Sequence, residues 1–149
     1  MLTKLVSSDA APAAAVRPAP DATNVTGSAA GVDVVAAAQQ YLGVPYRWGG
    51  DDPATGLDCS GLVQQVFDDL GVDMPRFSGH QAQQGEAVEQ LADAQPGDLL
   101  FWSAGDGHRT NHIGIYVGDG QMLHAPRSGD VVRVGPMTRG TPHDIRRIV

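Results

Sequence analysis

The hydrophobic period changes once along this chain, and that change limits the folds open to it. Up to Leu70 the apolar residues recur at helical spacing, and from Leu99 onward they come in short runs suited to strands. Val34, Val35, Ala38, Tyr41 and Leu42 share one face of a helix expected over Asp33 to Leu42, with Asp33 as N-cap and Gly43 and Pro45 as the stop. A second helix is expected from about Cys59 to Leu70-Gly71, burying Leu62, Val63, Val66, Phe67 and Leu70. A short third helix is expected around Ser78 to Gln84. Gln95-Pro96-Gly97-Asp98 then has type II turn chemistry and leads into a strand at Leu99-Leu100-Phe101-Trp102. His112 to Val117 and Gln121 to His124 flank Gly118-Asp119-Gly120 as a hairpin, and Val131 to Val134 and Ile145 to Val149 are further strands. Helices followed by strands predict an α+β domain, N-terminal helices packed on a central antiparallel sheet.

The 149 residues have room for one domain. From Ser7 to Ala30 the sequence is Ala, Pro, Ser, Thr and Asp, with nothing large and apolar to offset chain entropy. Residues 1–30 are therefore expected to be a disordered tail or linker, and 31–149 the folded domain. No apolar run approaches the roughly 20 residues needed to cross a bilayer. The formal charge of −7, with only 10 Lys and Arg, argues against nucleic acid as a partner, because phosphate binding relies on concentrated positive charge. Met1 to Ser7 lack the apolar stretch of about 7–15 residues of a secretory signal. Work outside the cytoplasm is thus expected to use an export route not written here, or a longer parent polypeptide.

Cys59 is the only cysteine, so no internal disulfide is available. A lone cysteine is ordinarily a small buried hydrophobe. Here, however, it falls at the start of the second helix, before the apolar face begins at Leu62. The helix dipole and the unpaired N–H groups there favour the thiolate, the form that attacks carbonyls. A thiol nucleophile needs a base, and histidine suits that role near neutral pH.

The candidates are His80, His108, His112, His124 and His143. If Gly118-Asp119-Gly120 is a three-residue loop, Val117 pairs with Gln121 and Gly114 lies opposite His124. His112 and His124 then share a face, about 7–8 Å apart at their β-carbons. A two-residue loop would shift the register by one and part them. The pair is either the base and its orienting partner in a Cys-His-X triad or two polar members of a half-exposed strand face. Tyr46 either supplies a hydroxyl to an oxyanion or packs beside the core with its hydroxyl in water.

Five segments occur in one order. They are Pro45-Tyr46-Arg47-Trp48-Gly49-Gly50, Asp58-Cys59-Ser60-Gly61-Leu62-Val63, Leu91 through Pro96-Gly97-Asp98-Leu99-Leu100-Phe101, His112 to Gly118, and Met122-Leu123-His124-Ala125-Pro126. Together they resemble the successive motifs of the NlpC/P60 family over about Gly31 to Val149. The resemblance implies a papain-like α+β fold. It implies hydrolysis of peptidoglycan stem peptides, commonly at the bond between D-glutamate and a diamino acid. It makes Cys59 the nucleophile, His112 the base, His124 the orienting residue and Tyr46 the tyrosine near the oxyanion. Asp58, Ser60, Trp48, Arg76, Ser78 and Gln81 become the expected substrate contacts, with Phe77 standing where a small polar residue is usual. The loop from Ser103 to Asn111 is expected to shape the cleft. A monomer working outside the cytoplasm follows, with no cofactor or metal and with a targeting partner or larger parent polypeptide.

Other chemistries remain open on the residues alone. One Cys and two His could ligate zinc with an open fourth position, although the spacing is not that of a compact zinc motif. The same fold could serve as a non-catalytic wall-binding module, or use its thiol as an amidase or acyltransferase on another substrate.

Overall fold

A computed structural model describes residues 29–103, 110–137 and 140–149. The expected tail lies outside these residues except for its last two, as do His108 and most of the loop between Ser103 and Asn111. Three helices, α1 (Ala29–Gln39), α2 (Cys59–Asp69) and α3 (Ser78–Gln81), accompany two sheets. β1 (Asp51–Asp52) and β2 (Gly56–Leu57) make a small ladder. β3 (Glu86–Ala87), β4 (Leu99–Ser103), β5 (Thr110–Gly118), β6 (Gln121–His124), β7 (Arg133–Pro136) and β8 (Asp144–Arg147) make the main sheet, in the order β3-β8-β4-β5-β6-β7. Every pairing in that sheet is antiparallel, so the α+β expectation holds.

Helix α2 forms where its pattern places it. Asp58 caps it from an extended backbone, with Oδ1 accepting the N–H of Gly61 at 2.7 Å. Leu62, Val63, Val66 and Phe67 are buried against Leu99, Phe101, Ile113, Ile115 and Leu123 of the sheet. Each such side chain contributes roughly 1.5–3 kcal/mol by leaving water. β4 sits inside the sheet and is covered on both faces. Leu99 and Phe101 join the helical core, while Leu100 and Trp102 pack with Met122 and Ile145 on the other side. Its unbroken apolar run is the mark of a strand with no wet face.

The turn ahead of β4 also forms as expected. The N–H of Asp98 donates to the Gln95 carbonyl at 3.0 Å, and Gly97 takes a φ of +97°. The buried Asp98 carboxylate receives Nε and Nη2 of Arg147 at 2.9 and 2.8 Å, which ties this turn to β8.

Three expectations are corrected. Helix α1 starts at Ala29, ahead of the expected cap Asp33, and ends at Gln39, after which single turns carry the chain to Leu42. Alanines favour helix more strongly than an aspartate favours a start, so Asp33 lies exposed within the helix and Leu42 is left 38% exposed. The expected strand from Val131 begins instead at Arg133, with Val131 held in an isolated bridge to Pro45. The hairpin turns on two residues, not three: Gly118 pairs with Gln121, and Asp119 and Gly120 both have positive φ, at +55° and +72°. A bulge between Tyr116 and Gly118 absorbs the extra residue. Ile115 therefore still pairs with Leu123, and the register that puts His112 and His124 on one face survives by a different route.

Candidate active site

Cys59 is the first residue of α2, and the turn that carries it is fastened by polar contacts. Asp58 Oδ1 accepts from the Ser60 hydroxyl at 3.3 Å and from Arg76 Nη1 at 3.2 Å, while Oδ2 accepts from Arg76 Nη2 at 3.0 Å. Arg76 also donates to Ser60 Oγ at 2.9 Å and to the Gly50 carbonyl at 3.2 Å. That carbonyl accepts the Asp58 N–H at 3.0 Å as well. It approaches Gly61 so closely that a Cβ there would lie 2.1 Å away, so only glycine fits. The loop bearing Tyr46 and Trp48 and the start of α2 are thus one unit.

Burial, and then the neighbouring Asp58 carboxylate, push the Cys59 thiol above its ordinary value. The N–H groups of Ile113, Ser60 and Cys59 itself pull the other way without prevailing. A helix start alone would favour thiolate; here desolvation outweighs it. Tyr46 is likewise pushed up by burial, then by Cys59 and Asp58, so its hydroxyl stays a donor beside the sulfur.

His112 is buried on β5, and its Nε2 lies 2.7 Å from Nδ1 of His124 at the end of β6. The two rings meet nearly edge-on, at 75°, and Trp102 flanks His112 with ring centroids 6.2 Å apart. β5 alternates at this point. Ile113 and Ile115 enter the core beneath α2, while Gly114 packs against Met122 so tightly that a Cβ would meet its sulfur at 2.6 Å. The N–H of Ile113 faces the sulfur of Cys59, which brings thiol and strand together at the end of the sheet.

Cys59 and His112 line a single cleft of about 700 Å³. Tyr46, Trp48, Asp58, Ser60 and Ser78 border it too, all of them expected there. His124 stands behind His112. Arg76 and Gln81 do not line the cleft. Gln81 is fully buried, its amide donating to the Ser60 and Pro75 carbonyls at 3.0 and 2.8 Å. Thr110 and Asn111, from the loop expected to shape the cleft, line it as well, whereas Gly79 and Pro126 were not singled out as wall residues and Phe77 only as a departure from the family's pattern. The substitution at Phe77 was the one signal that could have found it. Among the described residues no three of His, Cys, Asp and Glu are grouped to hold a metal ion, so zinc on Cys59, His112 and His124 has no geometric support.

An antiparallel sheet backed by helices, with a thiol at a helix start and paired imidazoles at the sheet's end, defines an α+β domain of the papain-like class. The NlpC/P60 family model matches residues 43–145. The chain is 46% identical over 96 residues to a probable endopeptidase p60 of Listeria seeligeri, covering 64% of this chain and 18% of that protein. It is 39% identical over 107 residues to a gamma-D-glutamyl-L-lysine dipeptidyl-peptidase of Bacillus subtilis, covering 71% and 36%. The crystal structure of the NlpC/p60 domain of the peptidoglycan hydrolase SagA superposes with a TM-score of 0.71 at 38% identity, covering 79% of this chain and 98% of that one. This chain belongs to the NlpC/P60 family. It spans only about a fifth to a third of the length of these curated relatives.

Proposed function

We propose that the domain is a cell-wall hydrolase, a cysteine endopeptidase that cuts peptidoglycan stem peptides through Cys59, His112 and His124. The observation that carries this reading is the 2.7 Å contact between the two imidazoles beside a cleft that Cys59 and His112 share. With Nε2 of His112 directed at His124, proton exchange with the thiol falls to Nδ1. That assignment requires the Nε2–H tautomer, which Nδ1 of His124 holds by accepting a hydrogen bond from it.

The raised value of the thiol supports a concerted order of events. His112 takes the proton as Sγ attacks the scissile carbonyl carbon, so charge develops only in the transition state. The backbone N–H of Cys59 and the hydroxyl of Tyr46 receive the oxyanion. The imidazolium then protonates the departing amine as the C–N bond breaks, leaving a thioester on Cys59. Water gives a proton to the same imidazole, attacks the thioester and releases the acid, and the thiol regains its proton.

The relative named for D-glutamyl-L-lysine supports the bond between D-glutamate and a diamino acid as the target. Asp58, Ser60, Ser78 and Trp48 contact the substrate from the cleft walls, and Arg76 and Gln81 act through Asp58 and Ser60. No helix among the described residues is long and apolar enough to cross a membrane. The proposed setting is extracytoplasmic, with the chain working as a monomer joined to a targeting partner or a larger parent polypeptide.

Purified peptidoglycan and defined stem peptides are digested with the wild type and with Cys59→Ala, and the products are identified by mass spectrometry. Fragments ending at D-glutamate are expected from the wild type alone. Equal release by both proteins removes Cys59 as nucleophile, and products cut at another bond redirect the reading to amidase or acyl-transfer chemistry.

A further inference from the structure

Among the described residues the two most exposed large apolar side chains are Trp48, at 84%, and Phe77, at 63%, and both line the cleft that holds Cys59. A soluble domain gains nothing from leaving its largest aromatic surfaces in water unless something covers them. Neither residue hangs on a loose loop. Trp48 lies between Arg47, whose N–H donates to the Leu57 carbonyl at 3.1 Å, and Gly50, whose carbonyl Arg76 grips. Phe77 caps α3 from an extended backbone, and the same Arg76 guanidinium lies 5.5 Å from its ring centre. One arginine therefore steadies both aromatic residues.

The polar groups nearby narrow the ligand. Asp58, the carboxylate on this wall, already accepts from Gly61, Ser60 and twice from Arg76, so its charge is balanced inside the protein. It makes a poor seat for a free ammonium group. What remains along the wall is neutral: Ser78, Thr110 and Asn111. Aromatic faces beside hydroxyls and an amide suit a ligand with an apolar face and a polar rim, as a pyranose ring has.

We propose that Trp48 and Phe77 form a saccharide subsite, so the domain prefers stem peptides still linked to their glycan over peptides with a free amino terminus. This deepens the reading of the site as a peptidoglycan peptidase and rests on it for the substrate's identity.

The test uses the Cys59→Ala protein, which cannot turn over a ligand. It is titrated with a disaccharide-linked stem peptide and with the same peptide freed of its sugars. The readout is tryptophan emission with iodide quenching. The chain has two tryptophans, and Trp102 is only 4% exposed, so a change in quenching reports on Trp48. The expected result is about tenfold tighter binding of the sugar-linked ligand, with Trp48 shielded from iodide. Phe77→Ser, at a site too exposed to threaten folding, is expected to remove most of that gap. Equal affinity for the two ligands, or a gap untouched by Phe77→Ser, overturns the proposal. Preferential sugar binding together with no fragment release by the wild type would instead strike the peptidase reading alone.

Discussion

Around Cys59 the chain is fastened by polar contacts, from Asp58, Ser60, Arg76 and the Gly50 carbonyl, whereas around His112 it is fastened by strand pairing and apolar packing. The thiol side is thus a knot of specific partners drawn from distant parts of the sequence. The imidazole side depends on register: His112 and His124 meet because β5 and β6 pair with one bulge between Tyr116 and Gly118. The difference separates the effects of substitution. Changes on the imidazole side should alter the reaction with little effect on stability, and changes on the thiol side should alter both.

The largest effect is expected at the histidines. His112→Ala should lower kcat by about 10³-fold or more, and His124→Ala by about 10²-fold, because in the proposed triad the second residue acts only through the first. Thermal unfolding should place both variants close to the wild type. If His124→Ala unfolded the domain instead, the contact would belong to the packing and the comparison would collapse.

On the thiol side the backbone is as exacting as the chemistry. Gly61→Ala puts a methyl 2.1 Å from the Gly50 carbonyl, which must move together with the loop bearing Tyr46 and Trp48. A loss of about 1–3 kcal/mol is expected, on the scale of forced overpacking. Gly79→Ala, in α3 with nothing within 4 Å of the new methyl, should stay within about 0.5 kcal/mol of the wild type. Chemical denaturation of the pair measures the contrast directly.

Arg76→Ala comes next. Asp58, only 15% exposed, would keep its charge without its main partner. Because Arg76 is itself 20% exposed, the cost is discounted to about 2 kcal/mol, below that of breaking a fully buried pair. Arg76→Lys keeps the charge but not the two-pronged geometry, so it should recover only part of the loss.

The same contrast explains what the sequence made legible. Helix α2 was readable because a capping aspartate and an apolar face at helical spacing agree. The histidine pairing was readable because a hairpin imposes a register, although the turn proved shorter and the bulge unforeseen. The partners of Asp58 were not readable as structure. Nothing in the spacing of Asp58, Ser60 and Arg76 reveals a guanidinium folded back on a helix cap, nor that Gln81 spends its amide on two internal carbonyls. β1, β2 and β3 were missed because two residues have no period, and β3 matters only through its pairing with β8. The start of α1 at Ala29 is not legible because Asp33 offers a capping signal that the alanines ahead of it override.

The smallest expected effect concerns the thiol's proton, and its direction can be worked out. Asp58 is the second cause, after burial, of the raised value of Cys59. Asp58→Asn keeps an acceptor for the helix cap but removes the negative charge that disfavours thiolate. The pH profile of Cys59 alkylation by iodoacetamide, followed in a His112→Ala background to remove the proposed base, should therefore move to lower pH. A profile that stays in place would leave burial as the sole cause. Stability carries the same sign. The folded chain holds this proton more tightly than the unfolded one, so its contribution is intact below an ordinary thiol pKa of about 8.5 and is lost as pH rises through and beyond it. Cys59→Ala should lack that alkaline decline. Asp58→Asn should shrink it, offset by whatever the Arg76 pairing contributes, and the two unfolding curves against pH distinguish the charge on the thiol side from its packing.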